Sequence, residues 1–142
     1  MRNMECIEDL LNAVMTFYSV AVIEHYMVFL LIIRARSAND AYDQLLNTVR
    51  DHLDKEDRML GNMLRLKDCV DGNTSLLLNG FVKNVRDGIA LVNDPEFISS
   101  YINDPETAIK TLIKYMLYHE ELLSSIINTL RENIRKFMNN LA

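Results

Sequence analysis

The chain has 142 residues, of which 49% are hydrophobic and 25% charged, and its formal net charge is -5. A chain of this length buries about two thirds of its unfolded surface, so residues 1–142 are expected to form a single domain without help from disulfides or metal. The acidic balance argues against a nucleic-acid partner, because phosphate neutralisation needs clustered Lys and Arg, and the longest basic cluster is the modest RENIRK at residues 131–136.

The first predicted helix covers about residues 4–36 and is apolar on nearly all sides, which is typical of a helix covered by its neighbours. Residues 10–33 approach the length of a membrane span. A bilayer would then hold Glu24 and His25 near its midplane, where a carboxylate costs about 2.5–3.5 kcal/mol. The acidic N-terminal residues also do not read as a signal peptide. We therefore expect no membrane span and a cytoplasmic location.

The two cysteines, Cys6 and Cys69, have no CxxC spacing, which favours reduced thiols in a cytoplasm. Cys6 lies 31 residues before Ser37 and Cys69 lies 32 after it. Antiparallel packing of the first two helices would bring them to similar heights, so a disulfide stays open as the alternative.

The second predicted helix opens at Ser37, which forms a near capping box with Asp40, and runs to about Asp68. Gly72 is expected to end it as a left-handed C-cap. The third helix follows at about residues 75–93, and its inward stripe shows no polar break (Leu78, Val82, Val85, Ile89, Val92).

Two Asp-Pro pairs then mark helix starts, because Asp is a good N-cap and Pro suits the first helical position. Asp94-Pro95 begins a short helical turn, and Asp104-Pro105 begins a long helix that reaches about residue 141. Short connections between the long helices imply antiparallel neighbours. The sequence therefore predicts an all-α fold, an up-and-down antiparallel four-helix bundle.

Three of the long helices carry His and Glu on their inner sides. On the second helix, His52 and Glu56 occupy successive core positions at helical spacing. His25 lies on an inner stripe of the first helix, and the last helix places His119 between Met116 and Leu123. Glu24 and Glu120 adjoin His25 and His119. A buried, unpaired carboxylate costs several kcal/mol, so these groups are expected to pair with one another or to bind a cation.

The spacing of these residues resembles that of a known family. EHYMVFLLI, followed 27 residues after its His by HLDKEDRML, resembles helices A and B of the hemerythrin or HHE cation-binding family, and HEELLSSI at residues 119–126 is similar to an HHE helix start. The resemblance covers about residues 20–66, with a weaker patch at 115–127. It implies a non-haem di-iron site in a four-helix bundle, used for dioxygen binding, iron handling, or redox and oxygen sensing.

The ligand set that this resemblance implies is incomplete. The predicted third helix has no His, and His119 has no acidic residue at +4. The candidate ligands are His25, His52, Glu56 and His119, with Glu24 and Glu120 in reserve. Such a set suits one ion of iron or another transition metal, and imidazole with carboxylate does not choose among Fe, Zn and Mn.

Two functions from different classes remain. The first is a hemerythrin-like or ferritin-like metal-binding bundle, with no catalytic residues and enzymatic activity not expected. The second is a helical interaction or oligomerisation module without metal, in which the His and Glu residues set pairing register. That module would form a homodimer through apolar helix faces, disrupted by a polar substitution at Leu30 or Leu31.

Overall fold

The computed structural model describes residues 4–35, 41–70 and 72–141, and these are almost entirely helical. They form five α-helices and a 3-10 turn at Lys67–Cys69: α1 (Met4–Ala35), α2 (Ala41–Arg65), α3 (Gly72–Asn93), α4 (Pro95–Asn103) and α5 (Pro105–Leu141). The all-α prediction is confirmed. The described ranges hold five helices where the sequence predicted four long ones, since the turn after α3 extends into α4. The predicted cap at Ser37 and Asp40 lies outside the described residues.

The two Asp-Pro pairs start helices as predicted. Asp94 caps α4 by accepting the backbone N–H of Glu96, with Pro95 at the first helical position. Asp104 plays the same part for α5, where its Oδ1 accepts the backbone N–H of Thr107 at 3.5 Å and its Oδ2 accepts the Thr107 hydroxyl at 2.6 Å. These local bonds satisfy helix N-termini that would otherwise be unpaired.

The junction between α2 and α3 differs from its prediction. Gly72 does adopt the left-handed backbone, with φ of 58°, but it is the first residue of α3 rather than the C-cap of α2. α2 ends at Arg65, and the 3-10 turn follows it. The turn continues the chain past the end of α2 and buries Cys69 in the core.

Cys6 and Cys69 form a disulfide, with their Cα atoms 5.6 Å apart. The expectation of reduced thiols is therefore wrong, because the 3-10 turn brings Cys69 beside the start of α1. Closing a loop of 63 residues is worth about 2–4 kcal/mol to the folded state. Disulfides persist mainly in oxidising compartments, so this pairing weighs against the cytoplasmic location, which stays a prediction.

The core is divided into two apolar clusters. α1 and α3 each pack against both α2 and α5. The first apolar cluster surrounds the disulfide and draws on the first half of α1 (Ile7, Leu10, Val14, Phe17, Ala21) together with residues such as Leu60, Phe81 and Leu123. The second apolar cluster lies toward α4 and includes Val28, Leu53, Phe97 and Met116. The candidate site lies between them along α1, α2 and α5.

α1 is long and apolar enough to cross a membrane by length and composition alone. In the structure, its inner side packs against α2 and α5 and is completely buried at Leu10, Val14, Ala21 and Val28. His25 continues this buried side. Its inner side thus has the packing of a core helix in a bundle.

Candidate metal centre

The structure brings together all six residues that the sequence singled out. Their side chains come from three helices: Glu24 and His25 from α1, His52 and Glu56 from α2, and His119 and Glu120 from α5. The three imidazoles and the Glu56 carboxylate are between 0% and 5% exposed. The rings of His25 and His52 have centroids 4.8 Å apart, and those of His25 and His119 are 5.7 Å apart. These groups form a polar layer inside the apolar core.

Glu56 lies at the centre of this layer. Its Oε2 atom is 2.5 Å from Nε2 of His119, and its Oε1 atom is 2.9 Å from Nε2 of His52. α2 places Glu56 one turn after His52, so both side chains project from the same inner face. A single buried carboxylate thus contacts two imidazoles, one from its own helix and one from α5.

The other nitrogen of each ring, Nδ1, meets an oxygen at the edge of the layer. Nδ1 of His52 lies 2.6 Å from Oε2 of Glu24, and Nδ1 of His25 lies 3.0 Å from Oε1 of Glu120. Nδ1 of His119 lies 2.6 Å from Oδ1 of Asn84 on α3. Carboxylate and amide oxygens only accept hydrogen bonds, so each ring holds a proton on Nδ1 and donates it outward. The three Nε2 atoms are therefore the nitrogens left for the interior.

Three buried polar atoms of the layer have no hydrogen-bond partner within the described ranges: Nε2 of His25, Nε2 of His52 and Oε1 of Glu56. The last two are 2.9 Å apart but are not aligned as a hydrogen bond. An unsatisfied buried polar atom costs about 1–3 kcal/mol. The layer therefore carries donor atoms of the kind that bind a cation, with coordinating capacity that the protein leaves unused.

No group of three or more His, Cys, Asp or Glu side chains in residues 4–35, 41–70 and 72–141 is already placed to hold a metal ion. The close contacts of Glu56 give the physical reason. Ligand atoms around one ion with bonds of about 2.1 Å stand about 3.0–3.4 Å from one another. Glu56 lies 2.5 and 2.9 Å from its two imidazoles, so it would have to retreat by about half an ångström to admit an ion.

Electrostatics give His25 and Glu56 the ionisation states that bind a cation, whereas His52 is shifted toward the protonated form, whose proton a bound cation would displace. Burial, and then repulsion from His52 and His119, lowers the pKa of His25 to about 3. Burial alone would raise the pKa of Glu56, but its contacts with His119 and His52 lower that pKa to about 2. Burial likewise works against a charge on His52, yet its contacts with Glu56 and Glu24 raise its pKa. At neutral pH, His25 is therefore neutral and Glu56 is ionised.

Aromatic rings on α3 and α5 fix the position of His119. Tyr115 stacks on it at 5.8 Å with an angle of 25° between the rings, and Phe81 lies 4.9 Å away. The Tyr115 hydroxyl donates to the backbone carbonyl of Asn84 at 2.9 Å. This contact depends on Gly88, since a Cβ atom there would lie 2.2 Å from the Tyr115 hydroxyl oxygen.

Asn84 is the site residue that the sequence reading missed. The prediction that the inward face of the third helix has no polar break is wrong, because Asn84 is only 8% exposed and contacts His119. It lies beside the apolar stripe, three residues after the buried Phe81. A wider helical face, taken on both sides of the stripe, would have included it.

Two surface pockets reach the edges of the polar layer. One, of about 290 Å³, is lined by Glu24, His52 and Lys55 among others, and the Lys55 ammonium lies 3.0 Å from Oε1 of Glu24. The other, of about 570 Å³ between α1 and α5, is lined by residues that include Tyr18 and Glu120. The pockets thus reach the polar layer at Glu24 and His52 on one side and at Glu120 on the other.

No family model matches the sequence, and neither the curated proteins nor the solved structures gave a match. The resemblance to the hemerythrin or HHE family accordingly stays a prediction.

Proposed function

We propose that this chain is a cation-binding helical bundle that holds one transition-metal ion, non-haem iron or another, between His25, His52, His119 and Glu56. The four long helices would form an up-and-down antiparallel bundle of hemerythrin-like or ferritin-like kind, with α4 as an addition. The observation that carries the proposal is the orientation of the three rings. Each has Nδ1 bonded outward to an oxygen, and two of the three Nε2 atoms are buried without a hydrogen-bond partner.

This orientation matches a general feature of metal-binding histidines. Such a ring donates its second N–H to a carboxylate or carbonyl oxygen, which fixes the tautomer and makes the ligating nitrogen more basic. Glu24, Glu120 and Asn84 would supply those oxygens here, each 2.6–3.0 Å from a ring nitrogen. The three rings and Glu56 would then offer three nitrogens and a carboxylate oxygen, a set that suits Fe, Zn or Mn.

Metal handling, or the sensing of redox state or oxygen, is the function that fits such a site. The ion would supply the redox or coordination chemistry, and the protein would supply a buried, preorganised set of ligands. The residues of this chain would orient the rings and keep Glu56 ionised, as its pKa of about 2 favours. No residue is assigned a catalytic part, so an enzymatic activity is not proposed.

A second candidate is a metal-free interaction module, favoured by the direct contacts that Glu56 already makes with His52 and His119. In such a protein, the polar layer would fix the register of the helices, because buried polar groups pair only with specific partners. The module would act through its exposed apolar surface. This candidate predicts a folded protein with no bound ion.

Elemental analysis separates the two candidates. Protein expressed in medium supplemented with iron or zinc should retain close to one ion per chain, and His52→Ala should lose it. Glu120→Gln should weaken metal affinity by about 10–100-fold, because the His25 ring loses its charged acceptor. Glu121→Gln is the matched control, since this neighbour on α5 is exposed, and it should retain the ion.

Titration of metal-free protein gives the opposing outcome. If folded protein takes up no Fe²⁺, Zn²⁺ or Mn²⁺ at micromolar concentration, the metal proposal is wrong and the interaction module remains. Equal metal affinity of Glu120→Gln and Glu121→Gln, measured in this titration, would overturn the orienting part given to Glu120. Circular dichroism of each variant shows whether lost metal reflects a lost site or a lost fold.

A further inference from the structure

The outer face of α1 exposes a continuous row of large apolar side chains, here called the α1 stripe. Its members are between 37% and 67% exposed: Met15, Val22, Ile23, Tyr26, Met27, Leu30 and Ile33. They recur at helical spacing over residues 15–33, a length of about 27 Å. Single exposed apolar residues are ordinary, but a patch of this extent marks an interaction surface.

The size of the α1 stripe fits a dimer interface. Its exposed side chains present on the order of 700 Å² of surface, close to the roughly 800 Å² that each partner buries in a stable complex of standard size. Leu117 on α5 is 50% exposed and lines the neighbouring groove with Tyr18, which widens the patch. Leu31, by contrast, packs against the second apolar cluster. Of the two substitutions expected from sequence to break a dimer, only the one at Leu30 therefore tests this surface.

The two edges of the α1 stripe differ in charge. α2 and α5 flank α1, and the groove on the α2 side is lined by Lys55 and Arg58 together with Glu24, which pairs with Lys55 at 3.0 Å. Glu120 and Glu121 line the groove on the α5 side. Asp51 also lies on the α2 side, but about 10 Å from Arg58 along the helix, beyond the screening length of about 8 Å at physiological salt.

The charged groups on the two edges of the α1 stripe lie at similar heights along α1. Lys55 lies 3.0 Å from Glu24, and Glu120 lies 3.0 Å from the ring of His25, the next residue of α1. Arg58 is one turn along α2 from Lys55, and Glu121 follows Glu120 directly on α5. The apolar stripe thus has Arg58 on its α2 edge and two carboxylates on its α5 edge at a similar height, and an apolar core with such a polar rim is typical of an interface.

We propose that two copies of this chain associate through their α1 stripes, with the two α1 helices parallel and a twofold axis running along them. A twofold axis in this direction places the α2 edge of one copy opposite the α5 edge of the other, at the same height. Arg58 then faces Glu121 of the second copy, and the same pair forms again across the axis. An antiparallel arrangement would instead set each edge against its own like charges.

A second copy fits this surface better than a lipid bilayer does. Helices that lie on membranes carry Lys and Arg along their polar face to meet anionic lipids. The α1 stripe is instead bordered by carboxylates on α5, and the first turns of α1 contain Glu5, Glu8 and Asp9. The net charge of -5 adds to the repulsion. The dimer does not depend on a bound metal.

Sedimentation velocity of the full chain tests the proposal, on metal-free and metal-loaded protein alike. Wild type at about 50 μM should sediment as a dimer of the 16.4 kDa chain. Ile23→Glu should be monomeric, with a dissociation constant raised at least 100-fold. Ile102→Glu is the matched control, because this α4 residue is 72% exposed but lies off the α1 stripe, and it should stay dimeric.

A charge exchange tests the parallel arrangement. Arg58→Glu and Glu121→Arg should each raise the dissociation constant about 3–10-fold, and the double variant should restore it to near the wild-type value.

Monomeric wild type, or a dimer that survives Ile23→Glu, overturns the proposal. If monomeric wild type floats with phosphatidylcholine vesicles and Ile23→Glu does not, the occupant is lipid. A double variant weaker than either single variant overturns the parallel arrangement. Metal content is measured separately, so either proposal can fail alone.

Discussion

The polar layer and the two apolar clusters beside it are built on the same helices, yet they are held together in different ways. In the apolar clusters, side chains such as Leu60 and Phe81 contribute through volume and buried area. In the polar layer, each group has a specific partner, as Glu56 does in His119. Apolar cores tolerate exchanges that conserve volume, whereas a buried ion pair fails when one partner is lost. We therefore expect the layer to restrict the alignment of the helices more strictly than the apolar clusters do.

The largest expected difference between the polar layer and the apolar clusters is a difference in stability. It comes from two substitutions that nearly conserve side-chain volume, at positions one helical turn apart on α2. Glu56→Leu should destabilise metal-free protein by about 3–5 kcal/mol, because it leaves the buried imidazoles of His52 and His119 without their carboxylate. Leu60→Met, in the first apolar cluster, should cost less than about 1.5 kcal/mol. Urea unfolding monitored by circular dichroism gives both values.

A triple variant sharpens this test. If the cost of Glu56→Leu arises from the two orphaned rings, replacing His52 and His119 by apolar residues at the same time should recover much of the lost stability. Equal costs for Glu56→Leu and Leu60→Met would instead mean that the layer behaves as ordinary core.

The polar layer should also make the free energy of unfolding depend on pH, whereas the aliphatic side chains of the apolar clusters do not titrate. His25 is held neutral, with a pKa lowered from 6.5 to about 3. Below pH 6.5 the unfolded chain binds this proton while the folded chain does not, so stability is complete above 6.5 and falls as the pH decreases toward 3. Between pH 6.5 and 4.5, the loss from this ring is on the order of 2–3 kcal/mol.

His25→Phe isolates that contribution. The variant keeps an apolar ring of similar size and removes the titrating group, so its stability should change less between pH 6.5 and 4.5 than that of wild type. The contribution of Glu56 falls at lower pH, because its pKa is lowered from 4.5 to about 2 and its stabilisation is lost only below 4.5. Chemical denaturation of metal-free protein at each pH measures the slopes. Equal slopes in both proteins would contradict the neutral state of His25.

The sequence predicted the members of the polar layer because helix periodicity is fixed. Successive inner positions on α2 placed His52 and Glu56 together without any knowledge of the neighbouring helices. The rise per residue placed His25 and His52, which lie 12 and 15 residues from Ser37, about 4–5 Å apart in height, a difference that side chains can span. The Asp-Pro pairs gave the starts of α4 and α5 through local hydrogen bonds, which need no tertiary contact.

The features that sequence left open depend on tertiary geometry. The height of His119 was not predictable, because α4 lies between α3 and α5 and its direction is not encoded locally. Asn84 contacts the ring of His119, which lies 35 residues later in the sequence, and an Asn on a helix does not by itself indicate such a partner. The pairing of Cys6 with Cys69 depends on the 3-10 turn after α2, which the periodic pattern does not contain.

The smallest expected effect on stability concerns the packing of α3 against α5 beside the polar layer. Substitutions at two glycines of α3 distinguish the contribution of that packing from the contribution of helix propensity. Gly88→Ala should destabilise the protein by about 1–3 kcal/mol, because the new methyl group would overlap the Tyr115 ring and displace it from His119. A methyl group at Gly80 would have open space among the described residues beyond its own stretch of helix, so Gly80→Ala should stabilise by about 0.5–1 kcal/mol through helix propensity. Thermal unfolding measures both changes. Stabilisation by both substitutions would show that Tyr115 moves aside freely, and that its contact with His119 does not hold that ring in place.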